Sequence, residues 1–162
     1  MTPSHRQNVG PHPRPSMSTK PMFHRVFAAE PSVVRKTLVD IRARFGAGLD
    51  EDTMGRLELV LAEVLNNVAE HAVDVQQGTS IHLCIVRQDA GFACAITDDG
   101  VSLPQECLQP RNLPQDGATE LPEGGFGWYL IQDLTQALCY YRERHRNFLA
   151  FSVPFDGVER AH

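Results

Sequence analysis

The amino-acid sequence predicts an α+β fold, a two-layer sandwich of about five mostly antiparallel strands with three helices on one face. Two observations carry this. Long stretches before residue 73 hold apolar residues at helical spacing. Paired apolar runs later in the chain are joined by turn residues, in the overall order β-α-α-β-β-loop-α-β-β.

Taken in order, residues 23–30, FHRVFAAE, alternate loosely and read as a short edge strand. Val34, Leu38, Ile41 and Phe45 then fall on one helical stripe, with Pro31 at its start and Gly46 and Gly48 at its stop. A long second helix follows, with Asp50 as N-cap and Glu51 and Asp52 at the positive end of its dipole. Leu57, Leu61, Val64, Val68 and Ala72 form its buried stripe. SIHLCIVRQDAGFACAITDDG reads as two strands turning about Asp89-Ala90-Gly91. Residues 100–124 show little periodicity, the mark of a functional lid or a disordered loop. GGFGWYLIQDLTQAL is a glycine-rich lead into a third helix, and CYYRERHRNFLAFSVPF closes as two strands turning near residues 145–147.

The totals bound the function. A chain of 162 residues with 42% hydrophobic and 22% charged side chains suits one globular domain. The net charge of -5 argues against a nucleic-acid binder. No apolar run approaches the ~20 residues of a membrane span, and no secretory h-region is present. The cysteines form no CxxC pair and suit reduced thiols in a cytoplasm, while the scattered histidines lack metal-ligand spacing. Residues 1–22, proline-rich and almost without apolar side chains, are expected to be a disordered tail. The domain is expected over residues 23–156, with a lid at 101–124 and a short tail at 157–162.

Three constellations can carry chemistry. Glu63, Asn67 and His71 stand four residues apart, so they stack along one side of the second helix. That side is either a solvated face or a site; two successive asparagines mid-helix weaken the first reading, since asparagine is a poor helix former. Asp98 and Gly100 end a strand, as a plain turn or as a carboxylate held in a pocket beside an approachable backbone. Gly124, Gly125 and Gly127 precede a helix, as a hinge or as a source of free N–H groups for phosphate. The Gly-Lys-Ser/Thr of a Walker A loop is missing, and the glycines follow a loop rather than a first strand.

In this order and spacing, Glu63-x-x-x-Asn67, Asp98-x-Gly100 and Gly125-x-Gly127 resemble the N, G1 and G2 boxes of the GHKL (Bergerat-fold) ATP-binding superfamily. Within it the chain resembles the anti-sigma-factor serine kinases of bacterial partner switching, the RsbW-type branch, over about residues 23–154. The resemblance implies ATP or ADP as ligand, with Asn67 on Mg²⁺ and Glu63 as general base toward a hydroxyl. It implies that Asp98 accepts from the adenine amino group, that Gly100 lets the purine lie close, and that Gly124, Gly125 and Gly127 hold phosphates. His71 falls beside the nucleotide.

The chain departs from the pattern at Ser102, where a second G1 glycine is usual, and at Glu123, where a basic residue is common. For the threonine usual near adenine, Asn147 is the nearest polar candidate. The implied function is an ATP- and Mg²⁺-dependent serine kinase, cytoplasmic and homodimeric. It would sequester a sigma factor or other regulator and phosphorylate a STAS-domain antagonist, without binding nucleic acid or membrane. Arg111 in the lid could couple nucleotide state to partner choice. The alternatives are a non-catalytic nucleotide-gated binding module and a detached histidine-kinase catalytic domain.

Overall fold

The helical stripes and hairpins assemble into one five-stranded antiparallel sheet and three helices. A computed structural model describes residues 20–72, 77–103 and 126–155. The elements are β1 (Met22–Ala28), α1 (Pro31–Phe45), α2 (Glu51–Ala72), β2 (Ser80–Arg87), β3 (Gly91–Asp98), α3 (Phe126–Leu134), β4 (Gln136–Glu143) and β5 (Arg146–Pro154). Gly124, Gly125, Arg111, Glu123, nearly all of the expected lid and tail residues 1–19 and 157–162 lie outside the described residues.

Local chemistry sets the helix starts. Pro31 opens α1, where its missing N–H costs nothing. Asp50 caps α2 as expected: Oδ1 accepts from the Thr53 backbone N–H at 2.7 Å and Oδ2 from the Thr53 hydroxyl at 2.8 Å. Arg42 on α1 then clasps Glu58 and Glu51 of α2, joining the two helices at their exposed side.

The strand order β1-β2-β3-β5-β4 places β1 at one edge, as its loose alternation predicts, and β3 and β5 side by side. Leu57, Leu61, Val64 and Leu65 of α2 are buried with Ile81, Leu83, Ile85, Ile96 and Leu149 of the sheet. Trp128 and Ile131 bring α3 into the same core. Side chains on the other sheet face, such as Ala95 and Ala150, are exposed, so the helices cover one face only.

Two boundaries differ from the sequence reading. The third helix ends at Leu134, and Gln136 already pairs in β4. The Thr135 hydroxyl donates to the Ile131 carbonyl at 2.6 Å, Ala137 takes a left-handed φ of 54°, and the register slips between Gln136 and Cys139. The last hairpin turns on Arg144 and His145, with φ of 49° and 63°, the double left-handed geometry that matches strand twist. Asn147, expected at that turn, therefore sits within β5, directly opposite Asp98 of β3.

Candidate functional site

Where β3 runs out, the C-terminal half of α2, the start of α3 and the β4–β5 hairpin surround a cleft. Its empty volume, open mouth included, is about 470 Å³. Val64, Val68, Ile96, Leu149 and Trp128 supply apolar walls, and Asn67, Asp98, Tyr140 and Asn147 the polar groups. An apolar slot with a few converging polar groups suits a flat heterocycle.

The inner end is a closed hydrogen-bond network. Asp98 is 7% exposed, and its Oδ1 accepts from the Gly100 backbone N–H and from Asn147 Nδ2, both at 2.9 Å. Burial pushes its pKa up, and the bonds from Asn147 and Gly100 oppose that shift. Asn147, 4% exposed, also donates to the Val101 carbonyl at 2.7 Å and accepts from Tyr140 and Arg142 at 2.7 and 2.8 Å. A side chain on Gly100 would meet Asp98 Oδ1 at 2.9 Å and Thr79 Cγ2 at 3.3 Å, so glycine is the residue that fits.

The outer end is built by α2 against α3. Glu63 and Asn67 are half-buried one turn apart, whereas Asn66 and Glu70 are exposed. Asn67 Nδ2 is buried without a hydrogen-bond partner among the described residues. A Cβ added to Gly127 would collide with Glu63 Oε2 and lie 3.3 Å from its Cδ and 3.9 Å from Asn67 Nδ2. Gly127 thus serves close approach, placing the first turn of α3 against Glu63. Backbone N–H groups at a helix start favour negative charge, whether a carboxylate or a phosphate.

The structure brings Asn67, His71, Asp98, Gly100, Ser102 and Asn147 around one cleft. Glu63 and Gly127 meet beside Asn67 rather than among its lining residues. His71 and Ser102 are exposed at its edge. Sequence reasoning missed Tyr140, Arg142, Leu103 and Trp128. Hairpin register places two of them: the two-residue turn at Arg144-His145 puts Arg142 opposite Asn147 and Tyr140 opposite Leu149.

Among the described residues no three His, Cys, Asp or Glu side chains cluster as a metal cage. The partnerless Asn67 Nδ2 is a hydrogen-bond donor suited to a phosphate oxygen, and what the site offers a cation is the Asn67 amide oxygen with the Glu63 carboxylate nearby. That donor set fits Mg²⁺, which keeps several waters and is commonly held through substrate phosphates and few protein ligands.

Comparison with known proteins bears on family and fold. Residues 27–153 match the histidine kinase-like ATPase domain family. The serine-protein kinase RsbW of Halalkalibacterium halodurans is 33% identical over 107 residues, 63% of this chain and 62% of that protein. The chain therefore spans less than two thirds of that relative. The serine-protein kinase RsbW of Staphylococcus epidermidis is 29% identical over 118 residues, 69% of this chain and 72% of that protein. In fold, the chain is similar to the crystal structure of the RsbU and RsbW domains of Rv1364c from Mycobacterium tuberculosis. That match has a TM-score of 0.56 at 14% identity and covers 83% of this chain and 32% of the other. The Erythrobacter litoralis EL346 blue-light activated histidine kinase gives a TM-score of 0.51 at 19% identity, covering 78% and 41%. The chain belongs to the histidine kinase-like ATPase domain family, the superfamily its three motifs resemble.

Proposed function

We propose that this chain is an ATP-dependent protein serine kinase that also sequesters a regulator, in the manner of partner switching. The observation that carries the reading is the placement of Glu63 and Asn67 against Gly127 at one end of a cleft whose other end is Asp98. Relatives named serine-protein kinase RsbW support the acceptor class.

The adenine ring enters between Val64, Val68, Ile96 and Leu149, and its amino group donates to Asp98. The phosphates extend toward Asn67 and the start of α3. Mg²⁺ bound by Asn67 and phosphate oxygens would supply charge neutralisation during transfer. Glu63 takes the proton of the attacking serine hydroxyl as its oxygen bonds to the γ-phosphorus and the bond to ADP breaks. Transfer of this kind depends on positioning and electrostatics more than on covalent help from the protein. A STAS-domain antagonist is the proposed acceptor: phosphoserine adds about -1.5 to -2 charges at pH 7, enough to break an interface by repulsion and desolvation. A sigma factor or other regulator is the proposed sequestered partner, and the active form a homodimer.

The test is Glu63→Ala. ATP binding should persist while transfer to the antagonist serine falls about 10²- to 10⁴-fold, the usual worth of a general base. Unchanged transfer sinks Glu63 as the base. If the native chain binds ATP and transfers nothing, it is a nucleotide-gated binding module. Phosphoamino-acid analysis of the labelled partner separates serine from histidine transfer.

A further inference from the structure

Asn147 has two N–H donors and an oxygen with two lone pairs, and all four positions are filled. The donors go to Asp98 Oδ1 and the Val101 carbonyl; the oxygen accepts from the Tyr140 hydroxyl and Arg142 Nη1. Turning the amide over would set its oxygen against a carboxylate and a carbonyl, and its N–H groups against two donors. Arg142 and Tyr140 therefore decide which way Asn147 faces. Arg142 has no acceptor to offer in the turned state, because its guanidinium is always a donor.

The same two side chains hold the backbone just beyond Asp98. Tyr140 gives its one proton to Asn147 and accepts the Leu103 N–H at 3.1 Å. Arg142 Nη1 also donates to the Gly100 carbonyl at 3.0 Å. The Gly100 N–H lies on Asp98 and the Val101 carbonyl on Asn147. Residues 100–103 are thus tied at four backbone groups to side chains of β3, β4 and β5. Among the described residues, both bonds that reach Asp98 land on Oδ1, which leaves Oδ2 as the acceptor for a ligand.

We propose that Tyr140 and Arg142 are positioning residues that couple base recognition to residues 100–103: through Asn147 they aim Asp98, and directly they hold the backbone beside it. This rests on the reading of the cleft as an ATP site. In the coupled state, a base that donates to Asp98 Oδ2 stabilises the whole network, and loosening of residues 100–103 frees Asp98 to rotate. Neither Tyr140 nor Arg142 needs to touch the phosphates.

The experiment uses the full chain and two variants, Tyr140→Phe and Arg142→Met, with a thermal melt to establish folding. Arg142 is exposed, so its replacement leaves the core in place. Backbone amide exchange at Gly100 and Leu103 is read with and without ATP. Binding of ATP is compared with binding of purine riboside triphosphate, which lacks the 6-amino group. The expected result for Tyr140→Phe is Leu103 exchange about 2- to 12-fold faster, as the loss of one hydrogen bond implies. The preference for ATP over the deamino analogue should fall in both variants by a similar factor. Faster exchange with an unchanged preference would make the network merely structural and overturn the coupling. Unchanged exchange at Leu103 in folded Tyr140→Phe would overturn the bond itself. If the native chain binds neither nucleotide, the ATP reading fails and the coupling with it, while Leu103 exchange separately reports whether Tyr140 holds the backbone.

Discussion

The two ends of the cleft are built on opposite principles. At the inner end, Asp98, Asn147, Tyr140 and Arg142 meet one another with hydrogen bonds of 2.7–2.9 Å. At the other end, Asn67 Nδ2 is buried without a partner among the described residues, and Glu63 lies against a glycine that leaves it room. A saturated network costs little to maintain and presents one fixed acceptor. An unsatisfied buried amide costs free energy until something fills the site. The contrast teaches that the Asp98 end is prebuilt, while the Asn67 end is left to be completed by charges and acceptors from outside the chain.

The sharpest way to break that contrast is Gly127→Ala. The new Cβ lands on Glu63 Oε2, the far end of a flexible side chain, so the carboxylate swings away rather than the helix unpacking. A misplacement near 1 Å can cost about 10²-fold in rate. Alanine is also the better helix former, so the melt should move little. Transfer is therefore expected to drop about 10²-fold with folding intact; native rates in this variant would show that the close approach does not position Glu63.

Asp98→Asn attacks the prebuilt end. The new amide oxygen can still accept from Gly100 and Asn147, but on the proposed ATP reading its NH₂ faces the adenine amino group, donor against donor. Loss of a hydrogen bond to a charged acceptor predicts ATP affinity about 10- to 100-fold weaker by calorimetric titration. Stability should move the other way. Burial raises the Asp98 pKa, so the folded state holds its proton more tightly than the unfolded chain. The sign follows: the carboxylate costs stability above its folded pKa, and that cost fades as pH falls through the folded value toward the ordinary carboxylate value of 3.8. Asp98→Asn should hence melt higher than the native chain near neutral pH, with the gap closing in acid. The native chain should lose ATP affinity over the same fall, as Asp98 Oδ2 gains a proton. A gap independent of pH would mean that the charge is not what burial penalises.

The smallest effect sharpens the comparison from outside it. Thr79 is 6% exposed, and its hydroxyl, like Asn67 Nδ2, is buried without a partner, yet it lies behind Gly100 and does not line the cleft. Thr79→Val removes that orphan while nearly keeping its shape. It should stabilise the fold by about 1 kcal/mol, seen as a melt a few degrees higher, with ATP affinity unchanged. A weaker-binding variant would bring Thr79 into the base-reading end.

How much of this was legible without coordinates depends on how far apart the partners stand. Glu63, Asn67 and His71 sit on successive turns of one helix, so spacing alone aligned them. The Asp50 cap and the Pro31 start were equally local, and both stand in the structure. Asn147 was singled out only as the nearest polar side chain and was expected at the turn. Its real position, opposite Asp98, depends on the turn falling at Arg144-His145, two non-glycine residues with left-handed φ that carry no common turn signal. Tyr140 and Arg142 went unnoticed for the same reason, because a shift of one residue in register would send both to the other face.

By itself the sequence determined the element order, the apolar stripes, the caps and the polar row of α2. These follow from periods of 2 and 3.6 residues and from bonds spanning a few positions. Only the tertiary structure decided that Asp98 meets Asn147, 49 residues away, and that Gly127 makes room for Glu63. Such contacts are set by strand register and by the distance between packed helices. Neither quantity is written in any local period of the chain.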